Sequence, residues 1–339
     1  TYDQDAILGF AKAFSGWSVG TNPKTDQGFY NIPYPRNHPF WVTPMQGFPS
    51  KHSVATKMLL NGVTLAAGQT PEKDLKDALD NIFNHPNVGP FIGKQLIQRL
   101  VTSNPAPGYV SRVAAKFNDN GAGVRGDMKA VLKAVLMHPE TRVVSDTSGK
   151  VREPVLRLSA FMRAFPHRSV SGRYDLELTN NPATALGQAP LHSPSVFNFY
   201  RPGYVAPGTQ SAARNLVTPE LQIANETSAA GYVNFMRDSI SRGVGFPAGS
   251  GLNRRDLQGD YSAELALAAD VPALVDRVTT RLTYGAVGSA RRTEIISAVS
   301  SIAIPGAGSK QSQIDTAKRN RVNAAILLTV AAPEFVVLK

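Results

Sequence analysis

Thr70-Pro71-Glu72-Lys73-Asp74-Leu75-Lys76-Asp77-Ala78-Leu79-Asp80-Asn81-Ile82-Phe83 carries a helix start and a single apolar face. A capping hydroxyl followed by proline at the first helical position marks the N-terminus. Leu75, Ala78, Leu79, Ile82 and Phe83 then recur at helical spacing. Lys73, Asp77 and Asp80 take the other side, and Glu72 and Lys76 form an i,i+4 pair. The helix is expected to stop near His85-Pro86.

Reading outward, the next helix spans about Val88 to Thr102. Val88, Phe91, Ile92, Leu96, Ile97, Leu100 and Val101 point in nearly every direction, so the helix is expected to be central and nearly inaccessible. Arg99 falls among them and needs a carboxylate or carbonyl partner. Asn104-Pro105-Ala106-Pro107 ends the run, and a further helix covers 107–117. After the loop 118–126, Asp127 caps a helix that turns Met128, Val131, Leu132, Val135 and Leu136 inward and ends at His138-Pro139. The same spacing predicts helices at about 4–14, 151–164, 226–242, 270–282, 289–302 and 315–331.

Between them lie Pro-, Gly- and Asn-rich stretches at 20–50, 166–225 and 243–260, without strand alternation. Loops of that length in a compact domain are functional or packed onto it. The fold class expected is all-α: an irregular multi-helix core wrapped by long Pro/Gly/Asn-rich loops, with little or no sheet. It is read as one helical domain over 1–339, with 166–225 as the place of any subdivision.

The chain has 339 residues, 36 basic against 25 acidic, for a net charge of +11. A basic balance suits an acidic partner. The positive charges are scattered as singles and short groups, as at Arg254-Arg255, Arg291-Arg292 and Lys318-Arg319, so no dedicated nucleic-acid site is expected. There is no cysteine, which excludes disulfides, thiolate catalysis and Cys-ligated zinc and fits an exported bacterial protein. The apolar run Ala324–Pro333 falls well short of the roughly 20 residues a membrane span needs, so the chain is read as not transmembrane. It starts Thr1-Tyr2-Asp3 without Met, and Thr1 reads as a processed or truncated start.

His85-Pro86-Asn87-Val88-Gly89-Pro90-Phe91-Ile92 runs on through Lys94-Gln95-Leu96-Ile97-Gln98-Arg99-Leu100-Val101-Thr102-Ser103-Asn104-Pro105. With Phe14-Ser15-Gly16-Trp17, Gly126-Asp127-Met128-Lys129-Ala130-Val131, Arg152-Glu153-Pro154, Ser193–Tyr204 and Ala332-Pro333-Glu334-Phe335, it closely resembles the bacterial domain-of-unknown-function family 1800. The likeness covers essentially the whole chain, with its motifs in order. It implies an exported protein, periplasmic or at the cell surface, often encoded beside a Tat-exported sulfatase/phosphatase-like partner family. It supplies no catalytic residues. It also implies a helical segment before Thr1, so the chain is read as the C-terminal part of a longer protein. The expected cover for the face left open is a separate N-terminal fragment or a second copy of the chain.

Gly16-Trp17-Ser18-Val19-Gly20 matches the nucleophile-elbow pattern, but that turn requires a strand before the serine and a helix after it. Here a helix-like stretch precedes, and closure of that helix on glycine is the favoured reading. The histidines are His38, His52, His85, His138, His167 and His192, with no i,i+4 pair. His85 and His138 read as helix ends. His38, His52 and His192 lie in or beside long loops and are the ones that could converge on a metal or acid/base site. No metal and no cofactor are expected.

Glu153, Glu220 and Glu226 are the carboxylates nearest apolar segments; a pair could serve as acid and base. Against that, Glu153 reads as the partner of a neighbouring Arg and Glu226 as a first-turn helix residue after Asn225. Ser193–Tyr204 is the most unusual stretch: Phe197, Phe199, Tyr200 and Tyr204 alternate with Asn198, Arg201 and prolines. Such rings suit a sugar or an aromatic ligand, or plug a core from a loop. The candidate binding residues are His52, Glu153, His192, Asn198, Tyr200, Arg201, Tyr204 and Glu226. The function expected is a binding or assembly module. A hydrolase acting on an acidic polysaccharide through Glu or Asp, and a polyanion-binding protein, are the alternatives.

Overall fold

Asp3 opens the first helix, α1 (Gln4–Ala13), by accepting the Ala6 amide on its side chain at 2.8 Å. The computed structural model describes residues 2–20, 24–30, 42–247 and 254–339. His38 lies outside the described residues. The chain separates into two compact units, Thr1–Gly93 with Val113–Val131 and Lys94–Arg112 with Leu132–Lys339.

In the first unit, β1 (Trp17–Ser18) pairs antiparallel with β2 (Gln46–Gly47), and β3 (Lys57–Met58) with β4 (Thr64–Leu65). Helix α2 (Pro71–Phe83) starts where its sequence says: the Thr70 hydroxyl accepts from the Lys73 amide. Ala13, Leu59, Leu65 and Ala78 form a small core closed by Phe10. Phe117 packs on Phe83 with ring centroids 5.8 Å apart, and the Arg125 guanidinium lies over both rings while donating to the Phe83 and His85 carbonyls.

The boundary between the units falls inside three helices, α3 (Val88–Leu100), α4 (Pro107–Asn118) and α5 (Met128–Leu136). Helix α3 corrects one expectation. Ile97 is fully buried, but Phe91 is 55% and Leu100 50% exposed, so the helix is not inaccessible. An all-round apolar pattern does not say how many faces are covered, and apolar atoms make up much of any protein surface.

The second unit runs through β5 (Lys150–Val151), α6 (Pro154–Ala164), β6 (His167–Ser169), α7 (Gln210–Ala213), α8 (Glu226–Arg242), β7 (Val244–Pro247), β8 (Arg255–Gly259), α9 (Ser262–Ala266), α10 (Val271–Thr283), α11 (Ser289–Ser300), α12 (Gln311–Ala331) and α13 (Pro333–Val336). A last strand, β9 (Val337–Leu338), pairs back on β5. The largest sheet among the described residues has three antiparallel strands, β6-β8-β7. Among the described residues the molecule is thus mainly α, with the long Pro- and Gly-rich stretches contributing short ribbons and the single-turn helix α7.

Helices α8, α10, α11 and α12 enclose this unit's core, where Met236, Leu274, Val278, Ile326 and Val330 are all fully buried. Burial of each such side chain contributes about 1.5–3 kcal/mol. The Tyr232 hydroxyl ties α8 to α12 by donating to the Val330 carbonyl at 2.9 Å. A reciprocal capping box of Asn225 and Ser228 opens α8. At Gly231 in α8 a Cβ would sit 2.1 Å from the Pro182 carbonyl oxygen. Only glycine lets the backbone of the 166–225 segment lie this close on the helix.

Candidate functional site

Two clusters of buried polar side chains stand out, one in each unit. In the second unit, Glu153 is the N-cap residue of α6, yet its side chain makes no cap bond. It turns instead to Arg99, whose Nη1 lies 3.2 Å from Oε1, and to Gln188, whose Nε2 donates to Oε2 at 2.7 Å. Arg99 also donates to the Tyr200 hydroxyl and stacks over the Tyr200 ring, 4.1 Å from its centroid. Arg99 therefore has the carboxylate partner its apolar surroundings require, and Glu153 pairs with an arginine distant in sequence rather than with a neighbouring one.

Lys150 extends the cluster. Its ammonium donates to the Arg99 carbonyl at 2.6 Å and sits 3.5 Å from Glu220 Oε1, both side chains being almost wholly buried. The two carboxyl groups are driven in opposite directions. Burial alone would raise Glu153, but hydrogen bonds from Tyr200 and Gln188 and the charges of Arg99 and Lys150 hold it below the usual carboxylate range. Burial raises Glu220 above that range, with Lys150 opposing and Glu153 adding to the rise. One Glu220 oxygen is buried without a hydrogen-bond partner among the described residues. The cavity bordered by Gln98, Arg99, Tyr200 and Glu220 measures only about 10 Å³.

This cluster anchors a loop. Tyr200 is 3% exposed, and the backbone that follows it is held by side chains. Gln98 donates to the Pro202 carbonyl at 3.0 Å, Gln222 accepts the Arg201 amide at 2.8 Å, and Asn104 bonds both backbone groups of Val217. On the other side of Tyr200 the loop stands in solvent. Leu191 is 102%, Val196 96% and Phe197 62% exposed. Leu191 also has φ of +62°, a left-handed conformation costly for a residue with a γ-branched side chain. Asn198 shares that conformation at φ +67°, which asparagine tolerates, and its side chain accepts the Phe199 amide at 2.8 Å. Arg201 lies over the Phe197 ring at 5.1 Å.

The candidate residues thus divide. Glu153 and Tyr200 are brought together in the buried anchor. Asn198 and Arg201 lie on the exposed loop beside it, His192 is exposed on the same loop, and Tyr204 is half-buried where its carbonyl accepts the Thr218 amide. Glu226 is exposed in the first turn of α8 and belongs to neither group. Arg99, Lys150, Gln188 and Glu220 complete the anchor. The sequence signalled Arg99 by its charge within an apolar helix and Glu220 by its apolar surroundings.

His52 belongs to the first unit and to the other cluster. Its Nε2 lies 2.7 Å from Asp74 Oδ2, and its Nδ1 faces the Ser15 carbonyl at 2.9 Å and the Ser15 hydroxyl at 3.4 Å. Lys57 approaches the same Asp74 oxygen at 2.6 Å, and Gln69 donates to the other at 2.9 Å. Serine, histidine and aspartate in line resemble a hydrolytic triad, but the bonding differs. The Ser15 hydroxyl donates to the Lys12 carbonyl at 2.6 Å, and its oxygen accepts the Ser53 amide at 2.9 Å. A nucleophile must instead pass its proton to the histidine. The cluster is a structural clamp.

The neighbouring Gly16-Trp17-Ser18-Val19-Gly20 is not a nucleophile elbow either. Helix α1 precedes it, Gly16 has φ of +79°, and the Ser18 hydroxyl donates to the Phe29 carbonyl at 2.7 Å. Among the described residues no three His, Cys, Asp or Glu side chains come together in a way that could hold a metal ion. No helix among them is long and apolar enough to cross a membrane.

A family model described as a protein of unknown function (DUF1800) matches residues 1–337. No curated protein and no solved structure matches the chain significantly.

Proposed function

The chain belongs to the DUF1800 family, and from that premise we propose that it is an exported binding or assembly module whose docking element is the loop 191–199. The observation that carries this reading is Leu191: an apolar side chain fully in solvent on a backbone held at positive φ. Neither burial nor local backbone preference accounts for that combination, and strain of this kind concentrates at functional sites. Val196 and Phe197 enlarge the apolar tip, and the Arg99–Glu153–Tyr200 anchor beneath it fixes the loop in place before a partner arrives. A pre-ordered loop binds at lower entropic cost than a floppy one.

The partner this tip fits is an apolar protein surface. A second copy of the chain comes first, and the exported sulfatase/phosphatase-like proteins associated with the family come second. The absence of cysteine and the family resemblance support a place outside the cytoplasm. Light scattering over a wide concentration range, together with a photo-crosslinking residue in place of Val196 in living cells, tests the reading. Self-association or a discrete adduct at position 196, abolished by Phe197→Ser, is the expected result. A protein that stays monomeric and forms no adduct refutes it. Cell fractionation that finds the chain in the cytoplasm refutes the location.

A second reading, hydrolysis of an acidic polymer, draws on the opposite displacement of Glu153 and Glu220, since such a split assigns an acid and a base. A cavity of about 10 Å³ admits no more than a water molecule, which places this reading second.

A further inference from the structure

We propose that a cleft of about 260 Å³ in the second unit binds a small acidic ligand, an anionic group carried on a hydroxylated body such as a uronate or a sugar phosphate. It lies among the end of α8, strand β8, the turn into α9 and the outer face of α12, away from the loop 191–199. The inference does not depend on that loop.

Two arginines line it, Arg254 and Arg319. Arg157 and Arg321 of this unit donate to backbone carbonyls, and several arginines are matched with carboxylates: Arg255 with Glu177, Arg277 and Arg281 with Glu264, Arg292 with Asp276. Among the described residues Arg254 and Arg319 have no such partner. Arg254 donates only to the neutral Gln258 amide oxygen, at 3.3 and 3.1 Å. Arg319 and Asn323 stand one turn apart on α12, and neither side chain makes a hydrogen bond among the described residues. The one carboxylate at the rim, Asp260, accepts the Ser262 amide at 3.0 Å and faces Arg168. The cleft therefore keeps a positive balance.

The third element is Tyr261. Its ring packs edge-on against Phe165 at 5.3 Å, and its hydroxyl is buried with no hydrogen-bond partner among the described residues. A buried hydroxyl without a partner is costly and requires an explanation. The hydroxyl reaches its place over Gly259, where a Cβ would come within 2.8 Å of it. Two guanidinium groups bind a carboxylate or phosphate through charge-assisted bonds. The Asn323 side-chain amide alongside them reads hydroxyl groups. The volume lies just below the range of drug-sized pockets and suits a single ring.

Titration calorimetry on the whole chain tests this with glucuronate, glucose 6-phosphate, inorganic phosphate and glucose. At least one acidic sugar should bind with unit stoichiometry while glucose does not. Comparing glucuronate with glucose 6-phosphate tells which acid group is preferred. Arg319→Gln and Arg254→Gln, both at the surface, should each weaken binding about tenfold or more. Asn323→Ala should weaken binding of the acidic sugar while leaving the unliganded protein as stable as before, because no hydrogen bond among the described residues is lost. Failure of both acidic sugars to bind, or binding that both arginine variants retain, overturns the proposal. Inorganic phosphate binding as tightly as the sugars overturns the hydroxylated body.

Discussion

The ammonium of Lys57 and the carboxylate of Asp74 lie 2.6 Å apart with neither side chain exposed to solvent at all. His52 shares the same carboxylate oxygen, so one carboxylate serves both groups. Removing one member of a buried pair leaves the other uncompensated, at a cost of about 3–5 kcal/mol. Asp74→Ala should therefore unfold the first unit at much lower urea than the parent, with Asp74→Asn falling between them. An Asp74→Ala protein with an unchanged urea midpoint would show that the clamp is not structural.

The opposed carboxyl groups of the second unit make a pH prediction with a definite sign. Glu153 is held below its ordinary value of 4.5 in the folded state, so its contribution is present above that value and is lost as the pH falls through the folded pKa. Glu220 is raised, so between 4.5 and its folded pKa the native state binds more proton than the unfolded chain, and stability declines as the pH rises through that window. Denaturant titrations at a series of pH values should show Glu153→Gln flattening the acid limb below about pH 4.5. Glu220→Gln should flatten the slope just above it. Identical pH profiles for all three proteins would contradict both assignments.

The helices were legible because each signals itself locally. Thr70 and Asp127 both accept amide protons from the first turns they precede, as their spacing implied. What periodicity could not show was which faces would be covered, hence the exposed Phe91 and Leu100. The short strands were beyond reach for a different reason. His167–Ser169 pairs with Leu257–Gly259, far along the chain, and three residues are too few to display alternation. The site was half legible. Arg99 announced its need for a carboxylate, and Tyr200 lay in the most unusual stretch. Nothing local joined Asp74 to Lys57 and His52.

Gly231 allows a direct test of how the 166–225 segment is seated. A methyl group there meets the Pro182 carbonyl at 2.1 Å and the Ala183 backbone at 3.1 Å, and neither is a flexible side-chain end. Helix propensity alone would favour Gly231→Ala by up to about 1 kcal/mol. The clash should outweigh this and make the variant less stable by about 1–3 kcal/mol. Faster hydrogen exchange at the amides of Ala185 and Leu186, which now bond the Asn181 and Thr179 carbonyls, would locate the effect. A variant that gains stability would show that the contact relaxes freely.

Leu191 should show a trade between stability and association. Its side chain is wholly exposed, so deleting it forfeits no packing. Its φ of +62° imposes a penalty of about 1–2 kcal/mol that glycine escapes, although glycine also gains entropy in the unfolded chain. The net expectation for Leu191→Gly is a protein as stable as the parent or better by up to about 1 kcal/mol. If the strained apolar tip exists to meet a partner, the same change should weaken self-association or crosslinking at position 196. Tyr200→Ala should do the reverse in stability. It removes a 3%-exposed ring that carries the Arg99 contact, at a cost of about 3–5 kcal/mol, and frees the loop. Urea midpoints and light scattering on the two variants separate the roles. Leu191→Gly that loses stability while keeping full association would show that the backbone at 191 is not strained and that the side chain has no partner.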